Sequence, residues 1–230
     1  MKLKKILTCM VSTMCAAIMT LSMVSCGNAH TKKETSSSAS SSSSKAESSE
    51  SSENKVDDSK SFVIALYPEY APQTCENFEK LVKDGFYEGL IFHRVYEGFM
   101  AQGGGMDKDL KQKQSPNIKG EFAANGFTQN TLSHTRGVVS MARATGMDTA
   151  SSQFFICYND KNIAALDGRY AGFGKVTKGM EVVDDFLKVE RAMAGEQVPT
   201  YPVTPIVIVK AEMIEDDSEG HHQVKFYMDF

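Results

Sequence analysis

The stretch from Gly89 to Gly104 combines apolar residues, one arginine and one amide in an order that suggests a binding site. Leu90, Phe92 and Val95 have the spacing of residues that pack inward from a strand, which leaves Arg94 directed away from them. The dipeptide that follows this strand, Glu97-Gly98, is a turn signal. The sequence therefore predicts a hairpin that presents a guanidinium on its outer side.

The second strand of this hairpin supplies apolar and amide neighbours for the arginine. Phe99 and Met100 begin the strand, and Gln102 follows them. A cationic donor at the rim of an apolar slot suits a ligand that has an apolar ring next to a peptide bond. The alternative is that Arg94 is an ordinary surface charge and that Phe99 and Met100 belong to the core, as is usual for a single arginine near aromatic residues.

Further motifs weaken that alternative, because residues 138–144 and 151–156 add a second amide and another phenylalanine. The motifs are Phe92-His93-Arg94-Val95-x-x-Gly98-Phe99-Met100-x-Gln102-Gly103-Gly104, Ser140-Met141-Ala142, Ser152-Gln153-Phe154-Phe155 and Leu166-Asp167-Gly168. In this order they resemble the cyclophilins, which are peptidyl-prolyl cis-trans isomerases. The resemblance runs from about Phe62 to Ala211.

The resemblance implies chemistry without a covalent step. Rotation about an Xaa-Pro bond must overcome a resonance barrier of about 18–20 kcal/mol. An enzyme needs only to bind the twisted amide better than the planar one, so no nucleophile, metal or cofactor is expected. By the resemblance, Arg94 is the catalytic residue, because its guanidinium would donate to the proline nitrogen when that nitrogen regains its lone pair.

The resemblance also assigns the substrate-binding residues. Phe99, Met100, Phe155 and Leu166 would form the slot for the proline ring, Gln102 would hold the adjoining peptide, Ala142, Arg143 and Gln153 would line the groove for preceding residues, and Tyr170 would wall the slot. The rim departs from the family in three places. Arg143 replaces the usual Asn, Tyr170 replaces the usual His, and Ala165 stands where drug-sensitive members have Trp. These changes imply lower affinity for cyclosporin.

The chain begins with features of an exported protein. Residues 1–25 have a basic start and a long apolar stretch, which is typical of a secretory signal peptide. The tetrapeptide Met23-Val24-Ser25-Cys26 resembles a bacterial lipobox, so Cys26 is the expected lipidation site and the expected anchor to the outer face of the cell membrane. An uncleaved membrane anchor is the alternative, since the apolar stretch is about long enough to span a bilayer.

Residues 26–60 predict a disordered tether after that anchor, because they are rich in serine and poor in apolar residues. The folded domain is expected over residues 61–212, followed by a C-terminal extension over residues 213–230. The formal net charge of the chain is −4 and it has no Lys/Arg-rich block, so nucleic acid is not an expected partner. A monomer is expected.

The predicted elements are mainly strands, with helices after Pro72 and over residues 180–187. The resemblance turns this order into a closed eight-stranded antiparallel barrel of cyclophilin type, capped by two helices. The usual strand before Phe62 is absent. Residues 223–230 alternate apolar and polar side chains and could supply it as an edge strand, while a frayed tail is the alternative. Cys75 and Cys157 are expected to be separate thiols.

Two functions remain open at this point. One is an isomerase that assists the folding of exported, proline-containing polypeptides, and the other is a non-catalytic module or chaperone that binds proline segments on the cell surface. The presence of Arg94 together with the slot residues favours the enzyme, because binding alone would not need the arginine. Ser140 has no base near it in a triad-like sequence pattern, and His93 and His134 are expected to be packed or hydrogen-bonded.

Overall fold

A computed structural model describes residues 57–230 of the chain. The predictions for the signal peptide, for lipid attachment at Cys26 and for nearly all of the serine-rich tether lie outside the described residues. Within residues 57–230, no helix has the length and apolar character needed to cross a membrane.

Strands dominate the described part of the chain. They are β1 Ser61–Leu66, β2 Leu90–Tyr96, β3 Met100–Asp107, β4 Val138–Met141, β5 Phe154–Cys157, β6 Gly172–Lys178, β7 Arg191–Ala192, β8 Tyr201–Pro202, β9 Ile206–Ile214 and β10 Gln223–Asp229. Eight of them close into an antiparallel barrel in the order β1-β10-β9-β2-β3-β5-β4-β6. The helices are α1 Pro72–Lys83, α2 Ile163–Leu166 and α3 Met180–Asp185, and short 3-10 turns cover Asp58–Lys60, Ala123–Asn125 and Phe186–Lys188. The mainly β barrel with two principal helices is confirmed, while the single-turn helix α2 and the small β7–β8 pair are additional.

Strand β10 closes the barrel. It pairs on one side with β1, where Phe62 lies opposite Phe226, and on the other side with β9, where Met213 lies opposite Val224. The C-terminal residues therefore supply the missing partner of β1, as the alternation predicts, and they are not a frayed tail; β10 is not an edge strand, however, because both of its edges are hydrogen-bonded. The domain extends to the end of β10 rather than stopping near residue 212.

The barrel interior is filled by aromatic rings from distant parts of the chain. Phe62 and Phe226 stack in parallel with ring centroids 5.2 Å apart. Helix α1 covers the core with Phe78, whose ring lies 5.4 Å from that of Phe154. The turn after α3 adds Phe186, which packs 5.0 Å from Phe92. Each such ring contributes about 1.5–3 kcal/mol through burial, so β10 and both helices stabilise the frame on which the outer face of β2 and β3 rests.

A buried carboxylate ties the start of α1 to the loop before β4. Ala71 precedes the helix and offers no capping side chain. Glu121 replaces the cap: its Oε1 accepts from the backbone NH of Gln73 at 3.0 Å, and its Oε2 accepts from the NH of Thr74 at 2.8 Å. A carboxylate at this position also complements the positive end of the helix dipole. The contact fixes the neighbouring Phe122, which supports one side of the cleft described below.

The two cysteines of the described region are separate, as predicted. Cys75 lies in α1 and Cys157 lies at the end of β5, and both thiols are free and buried. Burial raises the pKa of each thiol to about 12. Both thiols are consequently protonated at neutral pH and behave as small apolar side chains.

Candidate active site

Strand pairing brings the main predicted residues into one row. Arg94 on β2 lies opposite Gln102 on β3, and Gln102 lies opposite Phe155 on β5. Residues paired in this way share one face of a sheet. The guanidinium, the amide and the aromatic ring therefore stand side by side on the outer face of the barrel.

The two-residue period of β3 and β5 separates the site from the barrel core. Ala101 and Phe154 point inward and belong to the main core, while Met100 and Phe155 point to the other face. The outward residues form a second apolar cluster, whose buried members are Met100, Phe155, Cys157 and Leu166. A register shift in the β2–β3 pairing lies between Phe92 and Arg94, and this irregularity allows Arg94 to face outward while both Phe92 and Val95 remain buried.

This outward face carries a cleft of about 280 Å³. It is lined by Arg94, Phe99, Met100, Gln102, Ala142, Arg143, Phe155, Leu166 and Tyr170. Every one of these residues was singled out from the sequence. The remaining predicted residue, Gln153, adjoins the cleft through its side chain, whose Oε1 accepts a hydrogen bond of 3.0 Å from Nε2 of Gln102. The structure thus brings all ten predicted site residues together.

Glycines after Gln102 make this packing feasible. A Cβ on Gly105 would lie 2.3 Å from Cγ of Gln153, so only a glycine lets the Gln153 side chain cross β3 to reach Gln102. At Gly104, where φ is +80°, a Cβ would lie 2.8 Å from the ring of Phe154. This glycine run therefore provides the room for close packing around Gln102.

The Arg94 guanidinium is held on two sides. Its Nη1 lies 3.5 Å from Oε1 of Gln102 and 3.9 Å from Sδ of Met100. Its Nε and Nη2 donate to one oxygen of Glu196, at 3.0 Å and 2.5 Å. Glu196 is not among the residues predicted from the sequence; it lies between β7 and β8 in a segment without apolar periodicity.

Burial of Glu196 acts to raise its pKa, but hydrogen bonds from Arg94 and Thr200 and the charge of Arg94 outweigh burial. The pKa of the Glu196 carboxyl is consequently held below its ordinary value. Glu196 is therefore ionised at neutral pH and forms a partly buried ion pair with Arg94.

Arg143, the residue that replaces the family's asparagine, forms part of the cleft wall. Its guanidinium lies 4.7 Å from the ring centroid of Tyr170 and 5.1 Å from that of Phe122. Its Nε and Nη2 both donate to the backbone carbonyl of Arg169 at 3.1 Å. Tyr170 in turn meets Phe155 edge-on, with centroids 5.8 Å apart. The two substituted positions support each other, whereas Ala165 on α2 is exposed and adds no wall.

Three hydrogen-bonded side chains lie behind Phe155. They show that Ser140 does have a base nearby, contrary to the interpretation of the sequence pattern. Nε2 of His134 lies 2.9 Å from Oγ of Ser140, and Nδ1 of His134 lies 2.8 Å from Oδ1 of Asp167. These groups have the order of a hydrolytic triad, but Ser140 is fully buried and cannot meet a substrate. The His134 ring lies parallel to that of Phe155 at 6.1 Å, so these three side chains support the floor of the cleft. His134 is thereby hydrogen-bonded, as predicted.

His93 is packed beside Arg94 on β2. Its Nδ1 is buried and has no hydrogen-bond partner. Burial, reinforced by the positive charge of Arg94, lowers the pKa of His93 to about 4. His93 is therefore neutral at physiological pH and leaves Arg94 as the cation of this part of the cleft.

Comparison with known proteins agrees with this geometry. The family described as "Cyclophilin type peptidyl-prolyl cis-trans isomerase/CLD" matches residues 52–213. The chain is 45% identical over 151 residues to a peptidyl-prolyl cis-trans isomerase of Acinetobacter baylyi, covering 63% of this chain and 77% of the relative. It is 44% identical over 156 residues to peptidyl-prolyl cis-trans isomerase A of Dickeya dadantii, covering 66% and 78%.

A solved structure is also similar. It is the cyclophilin type peptidyl-prolyl cis-trans isomerase of Cryptosporidium parvum, crystallised in the presence of the dipeptide Ala-Pro. The TM-score is 0.51 at 27% identity, and the match covers 65% of this chain and 89% of that chain. The closed barrel, the outward row of Arg94, Gln102 and Phe155, and the family match over most of the described region lead to one conclusion: this chain belongs to the cyclophilin family of peptidyl-prolyl cis-trans isomerases.

Proposed function

We propose that this isomerase rotates Xaa-Pro bonds through Arg94 and that its substrates are exported proteins that fold outside the cytoplasm. The observation that carries the catalytic part is the cross-strand row in which Arg94, Gln102 and Phe155 border one cleft. The predicted signal peptide over residues 1–25 and the resemblance of Met23-Val24-Ser25-Cys26 to a lipobox support the location.

Arg94 stabilises the twisted amide. In the planar ground state the proline nitrogen shares its lone pair with the carbonyl and accepts hydrogen bonds poorly. As the bond twists, resonance is lost and the nitrogen becomes an acceptor. A guanidinium that is already positioned then gains a charge-assisted hydrogen bond that the ground state lacks, which is the condition for lowering the barrier. Because the guanidinium stays protonated, the step requires no proton transfer.

The apolar cluster beside Arg94 binds the proline ring. Met100, Phe155 and Leu166 are almost fully buried and form the floor, while Phe99 and Tyr170 form half-exposed walls. A cleft of about 280 Å³ suits a prolyl ring and its flanking peptide groups. The Cryptosporidium relative crystallised in the presence of Ala-Pro supports the same class of ligand.

The linked amides of Gln102 and Gln153 hold the backbone next to the proline. Each amide carries donors and an acceptor, and the 3.0 Å hydrogen bond between them uses only one of each. The remaining groups are available to the peptide groups of the substrate. Ala142 and Arg143 extend the binding surface toward the residues before proline.

The energies of these contacts are large enough to account for the lowering of the rotation barrier. A millionfold acceleration requires a barrier reduction of about 8 kcal/mol. A preorganised charged donor removed from bulk water contributes about 3–4 kcal/mol in enzymes where one such donor is deleted. Holding the substrate on both sides of the rotating bond supplies the remainder through positioning.

Substitution of Arg94 separates rate from affinity. In Arg94→Ala, we expect kcat for an Ala-Pro peptide to fall about a hundredfold or more while KM changes little, because the lost contact forms only with the twisted amide. Arg94→Lys should restore little, since a single ammonium cannot reproduce the fork. Phe155→Ala should instead raise KM as well as lower kcat, because it opens the proline slot.

The matched control is Arg136→Ala, which removes an arginine that pairs with Asp184 outside the cleft. Its kcat should equal that of the wild type. An Arg94→Ala variant that isomerises the peptide at the wild-type rate would refute the assignment of Arg94 and would favour a role in binding proline segments.

The proposed location is tested separately. Cys26→Ser should block lipid attachment and leave a larger precursor, because the thiol of Cys26 is the proposed site of diacylglycerol transfer. Electrophoretic size and labelling with a radioactive fatty acid measure this outcome. Unchanged size together with membrane retention and no label in the wild type would argue against a lipoprotein.

A further inference from the structure

We propose that Glu196 is a positioning residue that orients the Arg94 guanidinium for isomerisation. The inference rests on the catalytic role proposed for Arg94. Glu196 lies in the segment between β7 and β8, far from Arg94 in sequence, and the barrel brings its carboxylate against the guanidinium.

The hydrogen bonds divide the guanidinium into a side held by Glu196 and a side that faces the cleft. One oxygen of Glu196 accepts from Nε at 3.0 Å and from Nη2 at 2.5 Å. Nη1 is left toward the cleft, beside Gln102 and Met100. Because a guanidinium is planar, fixing two of its nitrogens also fixes the direction of the third. Glu196 therefore determines where the donor for the proline nitrogen points.

Glu196 itself is held in place by the barrel. Thr200, four residues further on, is buried, and its backbone carbonyl accepts a 2.8 Å hydrogen bond from the NH of Val95, the residue after Arg94. The NH of Thr200 donates to the carbonyl of Ala192 at 3.1 Å, which closes the segment into a loop. The segment that carries Glu196 is thus hydrogen-bonded to the same strand that carries the arginine.

Partial burial makes the interaction between Arg94 and Glu196 stronger than that of a fully exposed ion pair. The Arg94 and Glu196 side chains are 29% and 28% exposed. Fully exposed ion pairs contribute little because water and side-chain freedom offset the attraction. A partly buried pair with two hydrogen bonds restricts the arginine to one rotamer, so its side chain is already ordered before the substrate binds.

The contact holds the guanidinium from behind and does not cover the cleft. Glu196 lines a neighbouring hollow of about 390 Å³ on the other side of Arg94, together with His93, Leu110 and Tyr201. Apart from Arg94, which borders both, the cleft that binds the substrate is lined by other residues. A blocking carboxylate would occupy the position of the substrate and would have to leave before binding. Glu196 instead stays in contact while Nη1 meets the substrate.

Three variants of Glu196 test the proposal in the full-length protein. Glu196→Ala removes the contact, Glu196→Gln removes its charge but keeps its shape, and Glu196→Asp keeps the charge one methylene further away. We expect kcat for an Ala-Pro peptide to fall about tenfold in Glu196→Ala, with smaller losses in the other two. KM should stay within about twofold, because the proline slot is untouched.

Two further measurements distinguish positioning from general stabilisation. The Nε–H signal of Arg94 in a ¹⁵N-correlated NMR spectrum should be sharp in the wild type and broadened in Glu196→Ala, because the side chain is released. In an Arg94→Ala background, Glu196→Gln should cause no further loss of kcat. Glu190→Gln is the charge-matched control, since Glu190 is exposed next to β7 and outside the cleft; its kcat should be unchanged.

The possible results distinguish failure of the role proposed for Glu196 from failure of the role proposed for Arg94. An unchanged kcat in Glu196→Ala, or an equal loss in Glu190→Gln, overturns the proposal. A higher kcat or a lower KM in Glu196→Ala would show that the carboxylate obstructs the site. If Arg94→Ala loses its activity while the Glu196 variants do not, this inference fails alone. If Arg94→Ala keeps its activity, the proposed role of Arg94 fails.

Discussion

The residues around Arg94 combine a permanent charge with groups that titrate only in acid. Arg94 supplies the permanent positive charge of a guanidinium group. Burial and the nearby guanidinium lower the pKa of His93 to about 4. Burial of Glu196 opposes ionisation, but the hydrogen bonds from Arg94 and Thr200 hold its pKa below the ordinary value. The charge at the cleft is therefore constant in neutral solution.

This arrangement predicts a rate that does not depend on pH near neutrality. We expect kcat and kcat/KM to be flat between about pH 6 and about pH 8, since no acid or base takes part in the rotation. Both should decline only as the pH falls to about 4, where His93 gains a charge beside Arg94, while the lowered pKa of Glu196 keeps its carboxylate ionised into more acid solution. Steady-state assays with an uncharged Ala-Pro peptide measure this. A bell-shaped profile centred near neutrality would contradict a mechanism without proton transfer.

At the scale of residues, the sequence identifies the members of the cleft but not the partners behind them. Arg94, Gln102 and Phe155 sit in strands whose two-residue period determines the face each side chain occupies, so local sequence carries the information. Glu196 meets Arg94 only because a loop folds back, and no local pattern records that contact. Ser140 and His134 are close in the chain, yet the contribution of Asp167 depends on the turn after α2.

Among the elements, β10 shows how a strand at the end of the chain completes a barrel. Its inward residues Val224, Phe226 and Met228 are buried, and its outward residue Asp229 is exposed. Lys60 adds a hydrogen bond of 2.7 Å to the carbonyl of Phe230. Without β10, the facing edges of β1 and β9 would present unpaired NH and CO groups, a condition that favours association between molecules.

Shortening this strand is expected to destabilise the whole domain. Deletion of residues 223–230 should lower the melting temperature clearly and promote aggregation. The milder variant Phe226→Ala should reduce the free energy of unfolding by about 3–5 kcal/mol, because it leaves a cavity among buried rings. Asp229→Ala, on the same strand but exposed, is the control and should change it by less than about 0.5 kcal/mol. Urea denaturation and size-exclusion chromatography measure both effects. A truncated protein that melts normally as a monomer would contradict the role assigned to β10.

At the element scale, the sequence pattern predicts where a strand lies but not which strands it pairs with. The alternation from Val224 to Phe230 indicates a strand, but the choice of β1 and β9 as its neighbours depends on the closure of the barrel. The strands β7 and β8 have two residues each, which is too short for any period to appear. The loop between β7 and β8 nevertheless carries Glu196, so the ion pair between Glu196 and Arg94 could not be predicted from the sequence.

For the whole molecule, buried neutral histidines link folding to pH. Burial lowers the pKa of His134, despite the opposing hydrogen bond and charge of Asp167, and burial together with Arg94 lowers the pKa of His93 to about 4. An unfolded chain binds protons at both histidines below about pH 6.5, while the folded chain resists doing so. The unfolded state therefore binds more protons in that range, and stability rises with pH there.

The resulting prediction concerns the free energy of unfolding between about pH 4 and about pH 6.5. For the wild type it should decrease as the pH falls through this window, with His93 contributing on the order of 2–4 kcal/mol. In His93→Gln the dependence on pH should be shallower, because one of the two histidines that resist protonation in the folded state is gone.

His222→Gln is the matched control, because the pKa of His222 is shifted in the opposite direction. Its hydrogen bond and charge interaction with Glu79 raise the pKa of His222, so His222 stabilises the fold at acid pH and loses that effect as the pH rises through its folded pKa. Because His222 is largely exposed, this change should be small, and it should alter the slope only near and above about pH 6.5, leaving the acid side close to that of the wild type. Urea titrations at several pH values measure all three proteins, and a His93→Gln slope equal to that of the wild type would show that His93 is not a source of the acid sensitivity.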